Sequence, residues 1–180
     1  MSALTSILLS IALVASPTPA CAYFRLNAQV SPPGTSTKAV VSNELQKLRD
    51  EILRSVNAER KKKKLPALTR DIRLEKAAQA HAEDMTKRKY FDHVTPEGGT
   101  PEQRIRSTGF FDPPCKGCSV GFTFGENIAK GQKTPAAAMK SWMGSPVHRG
   151  NILKKDVQHL GVGYAGGIWI QVLGGIRVKP

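Results

Sequence analysis

The chain has 180 residues, of which 40% are hydrophobic, and a formal net charge of +13 at pH 7. This length leaves room for one domain with a hydrophobic core, and the absence of internal repeats or low-complexity tracts excludes repeat architectures. The positive charge favours anionic partners such as membranes, cell-wall polymers or polysaccharides.

The first 22 residues have the pattern of a secretory signal peptide. The apolar run ILLSIALVA over 7–15 is too short for a permanent transmembrane helix, and Ala20-Cys21-Ala22 forms an A-x-A cleavage site. We therefore expect residues 1–22 to be removed and the mature chain, without a transmembrane segment, to be secreted or periplasmic. Acylation of Cys21 as in a lipoprotein is the less favoured alternative, because the residues before it are a poor match.

A flexible linker and one long helix are predicted next. Residues 23–41 include a stretch rich in Pro, Ser and Thr that is typical of a linker. From near Ser42, apolar residues recur at spacings of three and four, which predicts an amphipathic helix. The basic run Lys61–Lys64 suits the end of that helix, and Pro66 prevents its continuation. The folded domain is accordingly expected to span residues 42–180.

Three further helices follow in the sequence. A second helix is predicted from about Asp71 to Lys89, with His81 on its apolar face, so that core packing is expected for His81. Thr100-Pro101-Glu102-Gln103 contains an N-cap, a proline at the first helical position and a capping-box partner, and predicts a short third helix. Thr134-Pro135 opens a fourth helix of about eight residues.

The C-terminal part changes to the period of β-strands. Residues 160–164 and 168–173 read as strands, and Ala165-Gly166-Gly167 between them is a hairpin signal. Helices early in the chain and strands late, without regular alternation, predict an α+β fold whose sheet is mostly antiparallel.

Two cysteines remain after removal of the signal peptide. Cys115 and Cys118 form a C-x-x-C pair in a turn-rich segment. A zinc site would need two more ligands close in sequence, and a thioredoxin-like redox pair would need a βαβ context. Since both are missing, a local Cys115–Cys118 disulfide is the favoured prediction.

Three short polar motifs carry the candidate chemistry. They contain His93 in Tyr-Phe-Asp-His, Glu126 in Gly-Glu-Asn-Ile, and His148 in His-Arg-Gly-Asn. Two imidazoles and a carboxylate are the minimum set for a divalent metal or for acid–base chemistry. His93 and Glu126 also lie in 91–127, the acidic part of a basic chain. Serine-hydrolase, zincin and phosphate-loop motifs are absent.

Each of these residues also has a structural interpretation. His93 could hydrogen-bond at the end of the second helix, and Glu126 could cap a turn. For Asn151 we favour a backbone-satisfying role over that of a ligand. Trp142 and Trp169 are expected in the core.

Seven motifs in a fixed order give the chain a resemblance to a known family. It resembles the CAP superfamily, which includes cysteine-rich secretory proteins, insect antigen 5 and plant pathogenesis-related 1 proteins, and it is most similar to the bacterial-type branch. The matching motifs are Val56-Asn57-Ala58-Glu59-Arg60, Leu65-Pro66-Ala67-Leu68, Ala77-Ala78-Gln79-Ala80-His81-Ala82, Tyr90-Phe91-Asp92-His93, Gly125-Glu126-Asn127-Ile128-Ala129, Ser141-Trp142 with Ser145 to Leu153, and Gly161-Val162-Gly163-Tyr164.

This resemblance implies an α-β-α sandwich with a shallow cleft. Carried over by motif, His93, Glu126 and His148 would line the cleft and hold a metal, with Glu126 as a candidate general base. Many eukaryotic members have a second glutamate, and this chain has Ser145 at that position. We therefore expect Zn²⁺ to bind weakly if at all, and no cofactor to be required.

The favoured function is a secreted, monomeric and non-enzymatic CAP-domain binding module acting at the cell envelope or outside the cell. Its expected partners are anionic surfaces, namely cell-wall polymer, polysaccharide or lipid, or else a partner protein; nucleic acid is not a physiological partner of a secreted chain. One alternative is a metal-assisted, peptidase-like hydrolase using His93, Glu126 and His148. The other is a cationic antimicrobial or defence factor acting through its charge.

Overall fold

Five helices and four strands make up the structure, a computed structural model that describes residues 37–112 and 117–179. The helices are α1 (Thr37–Lys62), α2 (Ile72–Arg88), α3 (Pro101–Ser107), α4 (Pro135–Gly144) and α5 (Pro146–Ile152). The strands are β1 (Thr69–Arg70), β2 (Ser119–Lys130), β3 (His159–Ala165) and β4 (Ile168–Lys179).

The strands form one sheet in the order β1-β3-β4-β2. The short β1 is parallel to β3, whereas β3–β4 and β2–β4 are antiparallel. One buried cluster packs α1, α4 and α5 against one face of the sheet, and a second packs α2 and α3 against the other. The expected α-β-α sandwich with a mostly antiparallel sheet is therefore confirmed.

The predicted local signals appear as helix caps and turns. Asp71 caps α2 by accepting a hydrogen bond from the backbone N–H of Arg73, and Thr100 and Gln103 form the capping box of α3. Gly166 and Gly167 both have positive φ, at 52° and 80°, as a two-residue hairpin requires. Both tryptophans are fully buried, as expected.

Several elements differ from the prediction. Helix α5 and the short strand β1 were not among the predicted elements, and β4 extends to Lys179, beyond the expected end at 173. Helix α1 begins at Thr37, before the expected start near Ser42, because no proline or glycine interrupts the chain between these two positions. Strand β2 is a continuous strand of 12 residues that the sequence pattern did not reveal. Its glycines at 121 and 125 are typical of turns, and they weakened the strand signal.

Helix α2 lies unusually close to β3. A Cβ added at Gly161 would be 2.2 Å from the backbone carbonyl carbon of Leu74, and one at Gly163 would be 2.4 Å from the backbone of Ala78. Only glycine permits this approach, which explains the two glycines in the Gly-Val-Gly-Tyr motif.

Some expectations lie outside the described residues. These are the signal peptide over 1–22, acylation of Cys21, most of the linker over 23–41, and Cys115 of the expected disulfide with Cys118; they remain predictions. Among the helices of the described part, none has the length and apolar character needed to cross a membrane.

Candidate functional site

Strand β2 lies at the edge of the sheet, and two of its neighbouring residues form the centre of the candidate site. Successive side chains of a strand point to opposite faces. Glu126 therefore contacts residues on the α2–α3 side, whereas Asn127 contacts residues on the α5 side. We call His93, Arg104, Glu126, Asn127 and His148 the edge site.

The carboxylate of Glu126 is buried and fully engaged by neighbouring side chains. Its side chain is only 4% exposed. Nη2 of Arg104 lies 3.1 Å from Oε1 and 3.0 Å from Oε2, and Nδ1 of His93 lies 2.8 Å from Oε1. The alternative in which Glu126 caps a turn is wrong, because the residue lies within a strand and binds side chains.

Arg104 also holds the segment that carries His93. Its Nη2 donates to the backbone carbonyl of His93 at 2.8 Å, and its Nη1 donates to that of Gly99 at 3.0 Å. Sequence reasoning missed Arg104. Its only signal is its position just after the capping box of α3. The chain contains 27 lysines and arginines, and nothing else in the sequence distinguishes Arg104 from the others.

His81 supports the same segment from α2. It is buried as expected, and its Nε2 lies 3.0 Å from the backbone carbonyl oxygen of Asp92. The Tyr90 hydroxyl lies 3.3 Å from Nδ1 of His81 and donates to Asp84 at 2.6 Å. Burial lowers the pKa of His81, which favours the neutral imidazole. His81 is thus a core residue that anchors the backbone directly before His93.

On the opposite face, paired amides connect β2 to α5. Nδ2 of Asn127 donates to the backbone carbonyl of His148 at 3.1 Å and to Oε1 of Gln171 at 2.8 Å. Nδ2 of Asn151 donates to Oδ1 of Asn127 at 2.8 Å and to the carbonyl of Glu126 at 3.3 Å. The backbone-satisfying role predicted for Asn151 is confirmed.

Gly125 is required by the same packing. A Cβ at this position would be 2.9 Å from Cγ of Asn151. The Gly-Glu-Asn sequence thus combines a gap for Asn151, a carboxylate on one face and an amide on the other.

The two histidines of the edge site have opposite protonation tendencies. The hydrogen bond to Glu126 raises the pKa of His93, although partial burial opposes it. Burial lowers the pKa of His148, and the positive charge of His93 lowers it further. Nδ1 of His148 is buried and has no hydrogen-bond partner among the residues that the structure describes. The site therefore favours one charged and one neutral imidazole.

These residues do not form a good metal site. Within residues 37–112 and 117–179, no group of three or more His, Cys, Asp or Glu side chains converges to hold a metal ion. Arg104 contacts both carboxylate oxygens of Glu126 and neutralises its charge, and this is the one carboxylate of the site that a metal cation would need. Ser145, the position where the resemblance described above implies a second glutamate in eukaryotic members, lies at the junction of α4 and α5. Metal binding by His93, Glu126 and His148 therefore remains a prediction that this donor set does not favour.

Exposed apolar residues lie close in sequence to His93 and His148. Phe91 and Val94 flank His93, Val147 precedes His148, and all three are exposed. Nζ of Lys130, at the end of β2, lies 5.9 Å from the centre of the Phe91 ring. Apolar and cationic groups therefore accompany the polar centre of the edge site.

Comparisons with known proteins agree with this architecture. The model of the cysteine-rich secretory protein family (CAP) matches residues 53–168. The chain is 40% identical over 139 residues to the protein YkwD of Bacillus subtilis strain 168, covering 76% of this chain and 51% of YkwD. It is 34% identical over 114 residues to the membrane protein YlbC of the same organism, covering 63% of this chain and 30% of YlbC. The chain thus spans about half of one relative and less than a third of the other.

Solved structures show the same fold. An extracellular protein of Bacillus anthracis that contains an SCP domain aligns with a TM-score of 0.65 and 30% identity, over 79% of this chain and 44% of that one. An outer surface protein of Borrelia burgdorferi aligns with a TM-score of 0.60 and 23% identity, over 76% of this chain and 96% of that one. The second likeness concerns the fold alone.

Proposed function

The chain belongs to the cysteine-rich secretory protein (CAP) family in its bacterial form, and we propose that it is a non-enzymatic binding module that holds a ligand at the edge site. It would act outside the cell or at the cell envelope. The extracellular SCP-domain protein of Bacillus anthracis among its structural neighbours supports this location, and so does the signal peptide predicted from the sequence.

One observation carries the choice of binding over catalysis: Arg104 occupies both oxygens of Glu126. A general base must be free to take a proton from water or substrate. A carboxylate that is buried, paired with arginine and bonded to His93 is instead suited to fixing the position and charge of its neighbours. This arrangement weakens the hydrolase alternative, in which Glu126 activates a metal-bound water.

The free groups of the site indicate the chemistry of the ligand. His93 is 43% exposed, and with Nδ1 held by Glu126 its Nε2 has no partner among the described residues. A protonated His93 would donate from Nε2 to an oxygen of the ligand. The exposed Phe91 and Val94 beside it would contact an apolar part of the same ligand. We therefore propose a ligand that combines an acceptor oxygen, preferably anionic, with an apolar portion.

A chelation experiment separates the two functions. Purified protein is analysed for zinc, and its retention on purified bacterial cell-wall sacculi is measured with and without EDTA. A binding module contains zinc well below one equivalent and keeps its retention in EDTA. Retention should fall in His93→Gln. Stoichiometric zinc, together with hydrolysis of the wall that disappears in Glu126→Gln and in EDTA, would instead establish the hydrolase.

The remaining expectations stay as proposals beside this one. They are a monomeric state, a Cys115–Cys118 disulfide and the absence of a physiological nucleic-acid partner. The antimicrobial alternative acts through charge alone, so it requires activity that falls steeply with added salt and is insensitive to His93→Gln.

A further inference from the structure

Two lysine runs that are far apart in sequence meet at one end of the fold. The first is Lys61–Lys64 at the end of α1, and the second is Lys154–Lys155 directly after α5; all six side chains are exposed. We call these six residues the lysine surface. None of them belongs to the edge site.

A buried arginine joins the two runs. Arg60 is 0% exposed, and its Nη1 donates at 2.9 Å to the backbone carbonyls of both Ile152 and Lys154. Its Nε donates to the carbonyl of Pro66 at 2.8 Å. The end of α1 and the segment after α5 are thus fixed to each other, and the two lysine runs keep their relative position.

The first run is held in a defined turn. Leu65 N–H donates to the Arg60 carbonyl at 3.0 Å, Lys64 N–H donates to that of Lys61 at 2.9 Å, and Lys64 has φ of 56°. This is the Schellman termination of a helix, with a left-handed residue one position beyond the cap. The lysines are therefore presented from ordered backbone.

Few acidic groups in the described part of the chain compensate these charges. Glu59 binds Lys62, and Asp156 binds Arg177. The segment from 131 to 155 contains no Asp or Glu at all. Lys63, Lys64 and Lys155 take part in none of the ion pairs among the described residues.

The surface lacks what a bilayer partner would need. The exposed large apolar residues of the described part are Ile72, Phe91, Val94, Val147 and Val178, and none lies in either lysine run. Membrane-surface binding generally combines cations with apolar side chains that insert. A lysine is also a point charge that suits phosphate oxygens without requiring fixed bidentate geometry.

From these observations we propose that the lysine surface is a docking site for a linear polyanion made of repeated phosphate groups, of the kind found in phosphate-containing wall polymers. This function is additional to ligand binding at the edge site and does not depend on it. The surface would hold the domain on the polymer by release of counterions.

Long-chain inorganic polyphosphate is the probe for this proposal. Its affinity is measured by titration at several salt concentrations for the wild type and for two triple variants that remove equal charge. The test variant is Lys63→Gln, Lys64→Gln and Lys155→Gln. The control is Lys76→Gln, Lys87→Gln and Lys89→Gln, three exposed lysines on and just after α2.

We expect the test variant to lose at least tenfold in affinity and the control less than threefold. The slope of log K against log salt should become shallower by about 2 in the test variant, because each lost phosphate contact removes about 0.7. Equal losses in both variants would show that only net charge matters and would overturn the proposal. Tighter binding of phosphatidylglycerol vesicles or heparin than of polyphosphate would overturn it as well.

A pair of single substitutions separates folding from docking. Lys64 and Lys89 are the two non-glycine residues with positive φ in the described part, and each follows the end of a long helix. Glycine adopts positive φ without the steric penalty that a lysine has there, so neither variant should unfold. Lys64→Gly should weaken polyphosphate binding severalfold, and Lys89→Gly should not. His93→Gln should bind polyphosphate normally, which distinguishes this surface from the edge site.

Discussion

A single guanidinium nitrogen of Arg104 lies within 3.1 Å of both carboxylate oxygens of Glu126 and within 2.8 Å of the backbone carbonyl of His93. This relationship makes the short helix α3 the support of the edge site. It also gives the buried carboxylate a permanent cationic partner. His93 can then share that carboxylate without being its only source of positive charge.

Removal of Arg104 should destabilise the protein strongly. Arg104→Met leaves Glu126 buried with only His93 beside it, and we expect a loss of about 3 kcal/mol in the free energy of unfolding. Arg106→Met, two residues further along α3, breaks an exposed pair with Glu102 and should cost less than about 1 kcal/mol. Urea unfolding measures both. Similar losses in the two variants would contradict the assigned role of Arg104.

The two histidines of the edge site should give opposite pH dependences of stability. The raised pKa of His93 means that its contribution is complete below the unfolded-state pKa of about 6.5 and is lost as pH rises through the folded-state pKa. His93→Gln should therefore cost more stability at about pH 5.5 than at about pH 8.5.

His148 provides the internal comparison. Its pKa is lowered, so its contribution is present above about pH 6.5 and is lost as pH falls through the folded-state value. His148→Gln should make the protein less sensitive to acid, as measured by urea unfolding across the same range. The same sign of pH dependence for both variants would refute this assignment.

The close approach of α2 and β3 predicts a severe effect of one methyl group. Gly161→Ala places a Cβ 2.2 Å from the α2 backbone, which must move away, and we expect a loss of about 3 kcal/mol or more. Gly150→Ala is the matched control, because a Cβ there meets nothing within 4 Å. Within α5 it should instead stabilise the protein by up to about 1 kcal/mol. Thermal and urea unfolding distinguish the two outcomes.

Arg60 should not be replaceable by lysine. Arg60→Lys keeps the charge but cannot serve the carbonyls of Pro66, Ile152 and Lys154 together, and each one left without a donor costs about 1–3 kcal/mol. Arg54→Lys, at an exposed position of the same helix, should have no measurable effect. Amide hydrogen exchange should show selective loss of protection after α5 in Arg60→Lys. Unchanged protection there would exclude a connecting role for Arg60.

Sequence patterns predicted the helices well because their ends are set by local chemistry. The Asp71 cap, the Thr100 capping box and the Gly166-Gly167 turn each satisfy backbone groups within a few residues. Strand β2 is different. It is stabilised by pairing with β4, whose paired residues lie 38 (Lys130 to Ile168) to 60 (Ser119 to Lys179) positions later in the chain. A local sequence pattern cannot indicate so distant a partner.

Sequence motifs predicted three of the five members of the edge site, His93, Glu126 and His148, but neither Arg104 and Asn127 nor the contacts between the members. His93 and Glu126 could be identified by motif, and the structure places them in direct contact. Arg104 and the Asn127–Asn151 pair could not be assigned, because their partners lie on other elements. The side of α3 that faces the Glu126 carboxylate is set by tertiary packing. Residue spacing in the sequence does not specify that packing.

Strand order has a consequence for the time at which the edge site can form. Strand β4 is the last element along the described chain, yet it lies between β3 and β2 in the sheet. A polypeptide that has emerged only as far as β3 therefore holds β2 without its partner and has no edge site. The protein can acquire the geometry of the edge site only once β4 has emerged, so a chain stalled earlier would expose an unpaired strand and be prone to aggregation.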